Sequence, residues 1–148
     1  MRGADDAHAY LHVNGSAGDD KWTISKEGYY HVKLNLQDNS VSILPYEVYM
    51  VGSATSIDWN IASALQLTQD PSNAYIYTYT GDMKVGEFKF PVNRDGSWGQ
   101  DMYMRTDDTH AYLHKGGASD DNKWNITADG NYTIRLNIKD LTISIVKN

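Results

Sequence analysis

Apolar and polar positions alternate over residues 131–147. Tyr132, Ile134, Leu136 and Ile138 take every second place, with Thr133, Arg135, Asn137 and Lys139 between them. A period of two marks a strand with one buried face. A tight turn at Lys139-Asp140 leads into Leu141, Ile143 and Ile145, again alternating, so the pattern predicts a β-hairpin. Tyr30, Val32, Leu34 and Leu36, followed by Val41 and Ile43, predict another. Between the two hairpins, residues 47–52 are apolar on both faces and read as a central strand. Tyr75, Tyr77 and Tyr79 alternate with Ile76, Thr78 and Thr80, while Phe88 and Phe90 flank Lys89 on a further short strand. Residues 61–65 alone suggest a brief helical turn. Roughly seven short strands per 100 residues, separated by Gly- and Asp-rich turns, predict an all-β, antiparallel, Ig-like sandwich.

The two hairpins belong to an internal repeat. Residues 5–44 align without a gap on 107–146, at a constant offset of 102. Asp5-Asp6-Ala7-His8-Ala9-Tyr10-Leu11-His12 becomes Asp107-Asp108-Thr109-His110-Ala111-Tyr112-Leu113-His114, and Lys21-Trp22-Thr23-Ile24 becomes Lys123-Trp124-Asn125-Ile126. Gly28, Tyr30, Leu34 and Asn35 recur as Gly130, Tyr132, Leu136 and Asn137. Residues 47–104 have no second copy. The expected organisation is therefore 1–46 as the C-terminal half of a preceding module and 47–148 as one complete module, in a fragment of a longer array. The leading half is expected to carry an exposed apolar face and open strand edges, and to form a homodimer by strand exchange through 5–44.

Composition narrows the function. The chain has 148 residues, 41% of them hydrophobic, and no apolar run approaches the roughly 20 residues that span a bilayer. Met1-Arg2-Gly3 reads as an expression start on mature sequence rather than a leader. A formal charge of −6 argues against a nucleic-acid partner. The absence of cysteine excludes disulfides, thiolate nucleophiles and Cys-based zinc sites. No nucleophile elbow, phosphate-binding loop or HExxH stands in the sequence, so nothing points to an enzyme. The bias is toward 11 Tyr and 4 Trp against 2 Phe. Tyr and Trp join an apolar face to a polar tip, which suits wet recognition surfaces as well as cores.

The tryptophans divide into two classes. Trp22 and Trp124 each precede an Ile by two residues on the same strand face, which predicts core positions. Trp59 and Trp98 lie in polar, turn-rich stretches without periodic apolar partners, which suits either anchoring of a loop or contact with a ligand. An indole stacks on the apolar C–H face of a pyranose, whose hydroxyls take hydrogen bonds from Arg, Lys and Asn and give them to Asp. Asn93 and Arg94 lie beside Trp98, and Asp121 and Lys123 lie in a second polar loop. The candidate carbohydrate-binding residues are therefore Trp59, Trp98, Asn93, Arg94, Lys123 and Asp121, with no catalytic residue, metal or cofactor. His8 and His12, like His110 and His114, have metal-ligand spacing only on a helix. On a strand their rings stand about 13 Å apart, too far to share an ion. Asp5-Asp6 and Asp107-Asp108 read as turn carboxylates rather than a calcium site.

Several tracts in fixed order resemble SusE/SusF-type modules. Val48-Tyr49-Met50-Val51-Gly52-Ser53-Ala54, then Trp59, then Ala64-Leu65-Gln66-Leu67-Thr68 is similar to their opening, and Gly86-Glu87-Phe88-Lys89-Phe90-Pro91 to one of their strands. Gly116-Gly117, Asp121-Asn122-Lys123-Trp124-Asn125-Ile126, Gly130-Asn131-Tyr132 and Leu141-Thr142-Ile143-Ser144-Ile145 resemble their closing half. The resemblance implies a carbohydrate-binding-module-like sandwich from an outer-membrane surface lipoprotein of Bacteroides-type bacteria, its lipid anchor outside this fragment. Such modules hold starch or other glycans for a transporter complex and glycosidases, and do not hydrolyse them. In them aromatic residues stack on the sugar, while Lys, Arg or Asn hydrogen-bond it. Trp59 matches the opening Trp, and Trp98 lies in the loop where binding aromatics are expected. A structural spacer or protein-interaction sandwich in a surface array is the alternative.

Overall fold

The computed structural model describes residues 1–3, 5–12 and 18–148, so residues 13–17 of the repeated tract lie outside the described residues. The chain forms two compact units, Met1–Tyr46 and Glu47–Asn148.

The first unit is built on one hairpin, β1 (Tyr30–Leu34) against β2 (Val41–Pro45), with Tyr30 opposite Pro45 and Leu34 opposite Val41. The connecting turn carries Asn39 at φ 56°, and an Asn tolerates this left-handed conformation well. Two expectations are corrected here. Leu36 lies in the turn, beyond the end of β1. Trp22 is half-buried, on no strand, and Ile24 is exposed, so the pair is not a core pair in this unit. The indole of Trp22 still donates to the Asp6 carbonyl at 2.9 Å.

The second unit is an all-β antiparallel sandwich. Its strands are β3 (Tyr49–Met50), β4 (Leu65–Gln66), β5 (Thr68–Gln69), β6 (Ile76–Met83), β7 (Gly86–Phe88), β8 (Phe90–Pro91), β9 (Met102–Arg105), β10 (Ala111–His114), β11 (Trp124–Ile126), β12 (Gly130–Asn137) and β13 (Thr142–Lys147). One sheet runs β13-β12-β6-β5, with Ile134 opposite both Ile145 and Tyr79. The remaining strands pair as β10-β9-β8, β11-β7 and β3-β4, and a bridge between His110 and Thr142 joins the start of β10 to that of β13. Val51 and Lys89 exchange both backbone hydrogen bonds at 3.0 Å, which ties β3 to the Gly86–Pro91 segment. Of the tract 47–52, Glu47 is exposed and 48–52 are buried, and only Tyr49 and Met50 are strand. The helical turn falls at Ile61–Ser63. The hairpin β12–β13 turns over residues 138–141, with Leu141 at φ 56°, so Leu141 belongs to the turn and not to the strand.

Alternation fixes the core. Ile134 and Leu136 point inward from β12, and Phe88 and Phe90 from β7 and β8, all without exposed surface. Trp124 sits opposite Phe88 in the ladder and stacks on it with ring centroids 5.9 Å apart; Phe90 closes on the same indole at 5.3 Å. Burying aromatic rings of this size supplies much of the hydrophobic stabilisation of a small sandwich. Because Phe88 and Phe90 face inward, Lys89 between them faces the other way. That residue belongs to the candidate site.

Candidate functional site

Two loops carry the indoles of Trp59 and Trp98 to one place. The first follows β3. Gly52 has φ +149°, and a Cβ on it would stand 2.1 Å from the Glu87 carbonyl oxygen, so only glycine lets the two segments approach. Its N–H donates to the Asp58 carbonyl at 2.9 Å, and the Thr55 hydroxyl donates to the Gly52 carbonyl at 2.8 Å. The closed turn delivers Trp59, half-buried, onto the buried cluster Tyr49, Val51 and Ala64.

The second loop, between β8 and β9, is stitched by its own polar side chains. The buried Gln100 accepts from the N–H groups of Val92 at 3.0 Å and Asn93 at 2.8 Å, and donates to the Ser97 carbonyl at 2.8 Å. Asn93 Oδ1 accepts from the Asp95 N–H, Asp95 Oδ1 from the Ser97 N–H, and Ser97 Oγ from the Gly99 N–H. Side-chain turns of this kind fix a loop without a hydrophobic anchor. Trp98 is therefore free of that duty and stands 45% exposed. Its ring centroid lies 6.2 Å from that of Trp59, with the planes inclined at 53°.

Two ammonium groups complete the surface. Lys89 Nζ lies 5.0 Å from the Trp98 ring and 5.9 Å from the Trp59 ring; Lys123 Nζ lies 5.8 Å from Trp59. Asp121 joins them, with Oδ1 2.6 Å from Lys89 Nζ and Oδ2 2.7 Å from Lys123 Nζ. The Lys89 side chain is only 7% exposed, so its charge is held in place by this carboxylate and by the two indole faces. Partial burial works to raise the Asp121 pKa, but the hydrogen bonds and charges of Lys123 and Lys89 outweigh it, and the net direction is downward.

The loop that carries Asp121 and Lys123 is itself anchored. Asp101 accepts from Lys115 Nζ at 2.6 Å and from the Gly116 N–H at 3.0 Å, and a Cβ on Gly116 would stand 2.1 Å from the Gly99 carbonyl oxygen. The Tyr112 hydroxyl donates to Asp120, and His114 Nδ1 faces Asp120 at 3.1 Å. Hydrogen bonds from Tyr112 and then His114 hold the Asp120 carboxyl below its usual range.

Of the six residues proposed from sequence, Trp59, Trp98, Lys123 and Asp121 meet in one cluster. Arg94 lies one aromatic layer away, its guanidinium carbon 4.7 Å above the Tyr49 ring on which the Trp59 cluster is built. The Asn93 side chain is spent on its own turn. Sequence reasoning missed Lys89 and Tyr49. The signal for Lys89 was present in the alternation Phe88-Lys89-Phe90, which places a cation on the face opposite two core rings. The repeated Asp residues act in turns: Asp5 accepts from the Ala7 N–H, and Asp107 from the N–H groups of Thr109 and His110. His110 is occupied with Asp107, whereas His114 faces Asp120.

An exposed indole and a half-buried one, beside two fixed ammonium donors and a carboxylate acceptor, can serve as a platform for a polyhydroxylated ring. It stacks the C–H face and reaches the hydroxyls around its edge. A groove of about 750 Å³, lined by Arg105, Asp108, Asn125 and Ser144, shares Lys123 with this cluster, and its one indole, Trp124, is buried. A family model describing SusF/SusE starch-specific carbohydrate-binding modules matches residues 47–144. The chain belongs to the SusF/SusE family. The match covers nearly the whole second unit, including both indoles, Lys89, Asp121 and Lys123. Comparison with curated proteins and with solved structures gave no match. This SusF/SusE chain thus carries a starch-type carbohydrate-binding module, in which loops at 52–59 and 92–101 bring two indoles together and loop 115–123 sets Asp121 and Lys123 beside them.

Proposed function

We propose that the 47–148 unit is a non-catalytic glycan-binding module whose ligand is an α-1,4-glucan chain, stacked on Trp98 and Trp59 and hydrogen-bonded by Lys89, Lys123 and Asp121. The observation that carries the reading is the pair of indoles at 6.2 Å and 53° with Lys89 Nζ over both rings. Inclined planes suit a ligand whose successive rings turn relative to one another, as they do along an α-1,4-glucan. The flat ribbon of a β-1,4-glucan would favour coplanar rings. The exposure of Trp98 weighs against the spacer alternative, since an apolar ring in solvent contributes little to a loop already held by Gln100. Within this reading the chain works at the cell surface of the outer membrane, capturing glycan for a transporter complex, and uses no cofactor. No helix among the described residues is long and apolar enough to cross a membrane.

The test is a calorimetric titration of the whole chain with maltoheptaose, cellohexaose and a xylo-oligosaccharide, followed in parallel by tryptophan fluorescence. Saturable binding of the α-glucan with a fluorescence change, and a much weaker response to the flat chains, is the expected result. Equal or absent response to all three would sink the proposal. Incubation with maltoheptaose should leave it intact, and release of shorter sugars would refute the non-catalytic part.

A further inference from the structure

The repeat allows the same hairpin to be compared in two surroundings. The offset of 102 carries β1 onto β12 and β2 onto β13, and the register is conserved, with Tyr30 opposite Pro45 and Tyr132 opposite Lys147. In the second unit β12 also pairs with β6 along its whole length. In the first unit, among the described residues, β1 pairs with β2 alone, so its other edge presents backbone groups with no strand partner there.

The exposures differ on β1 and its flanks, while on β2 Val41 is buried and Ile43 half-buried like their counterparts Ile143 and Ile145. Val32 and Leu36 are 68% and 79% exposed, whereas their counterparts Ile134 and Ile138 are at 0% and 3%. Leu34 and Ile24 are exposed, whereas Leu136 and Ile126 are buried. Leu44 and its counterpart Val146 are exposed alike, because they occupy the outer face in both units. The uncovered residues are thus those that the 47–104 half covers in the second unit. They have stayed apolar, while the alternate residues His31, Lys33 and Asn35 are polar. A face adapted to solvent would not keep Val32, Leu34 and Leu36.

We propose that the 1–46 unit is a docking surface for a half module: a polypeptide with the strand pattern of residues 47–104. Its strand equivalent to β6 lies antiparallel on β1, the position of Tyr79 opposite Val32 and that of Tyr77 opposite Leu34. This is recognition by strand addition, in which backbone bonds give affinity and alternate side chains give register. Exchange between copies of this chain does not fill the face. Each copy brings one half of the 47–104 kind and two hairpins of the receiving kind, so any number of copies leaves as many receivers open as it closes. A second copy packed face to face is the rival occupant. The inference is independent of the sugar-binding proposal, because none of its residues lies in the tryptophan cluster.

The experiment compares the whole chain with the same chain carrying an added copy of 47–104 joined directly to Gly3, the position equivalent to Arg105. Amide exchange is read on β1 and β12, and mass by light scattering. Docking is expected to slow exchange of the β1 amides not bonded by β2 by about a hundredfold, into the range of cooperatively folded strands. Val32→Asp in the extended chain should abolish that gain while leaving β12 unchanged, and Leu44→Asp on the outer face should preserve it. Unchanged β1 exchange in the extended chain would overturn the proposal. So would a dimer of the unextended chain in which the β1 amides are already protected, because a second copy would then be the occupant.

Discussion

Trp98→Ala separates a binding surface from a structural anchor. In the free protein the indole meets the Trp59 ring at 6.2 Å and the Lys89 ammonium at 5.0 Å. An aromatic pair contributes about 0.5–1.5 kcal/mol beyond its buried area. An exposed cation–π contact contributes about 0.5–1 kcal/mol. The loop around it is closed by Asn93, Asp95, Ser97 and Gln100, none of which needs the ring. The stability loss should therefore stay at or below about 2 kcal/mol. Trp124→Ala is the reference: its indole is 1% exposed between Phe88 and Phe90, and emptying such a site costs about 3–5 kcal/mol. Each kcal/mol moves the melting temperature of a domain this size by about 4–8 °C, so scanning calorimetry resolves the two variants. Affinity for maltoheptaose should move the other way. Loss of one stacking platform is worth about 1–3 kcal/mol by analogy with bases stacked on aromatic side chains, which corresponds to roughly a 5- to 150-fold rise in Kd. A Trp98→Ala protein that binds within twofold of the parent would refute the site. One that unfolds as readily as Trp124→Ala would show that the ring is an anchor.

Three further outcomes follow from the same geometry. Lys89→Met keeps the buried stem and removes the ammonium over both indoles, so α-glucan affinity should fall about tenfold or more, as for a lost charged hydrogen bond; Arg94→Ala, one layer away on Tyr49, should cost less by the same titration, and the reverse order would displace the site. Asp121 has its pKa depressed in the folded protein, so its ion pairs contribute fully above the ordinary carboxylate value of about 3.9 and are lost as pH falls through the lower folded value. Affinity should hold from pH 8 to pH 5 and decline only below about pH 4; a carboxyl midpoint for Asp121 above 4 by NMR would contradict this. Gly52→Ala forces a Cβ to 2.1 Å from the Glu87 carbonyl at φ +149°, so it should destabilise the second unit by more than about 1 kcal/mol and reduce binding by displacing Trp59, with denaturant titration as the check.

What the sequence disclosed is what local periodicity controls. The hairpin β12–β13, the strand around Phe88 and Phe90 and the turn before β4 follow from alternation and turn residues, because a strand's two faces are set by its own backbone. The convergence of Trp59 with Trp98 is different in kind. It depends on Val51 pairing with Lys89 and on Gly116 fitting against Gly99, contacts between segments far apart in sequence. Lys89 falls between these cases: its parity showed which way it points, but only the pairing with Val51 showed what lies there. For Arg94, adjacency to Trp98 in sequence did not disclose its partner, the Tyr49 ring 4.7 Å from the guanidinium carbon.

Trp22 and Trp124 make the limit plain. Their flanking sequences are nearly identical, both indoles donate to a carbonyl in the preceding Asp-rich turn, and yet one is half-buried and the other fully enclosed. Nothing in the shared pattern distinguishes them, because the enclosing rings Phe88 and Phe90 come from the part of the module that is not repeated. Alternation specifies which face of a strand is apolar; whether that face is a core or a docking surface depends on whether a complementary half is placed against it. The chain contains both outcomes of one pattern, and the difference between Val32 and Ile134 measures what the second half contributes.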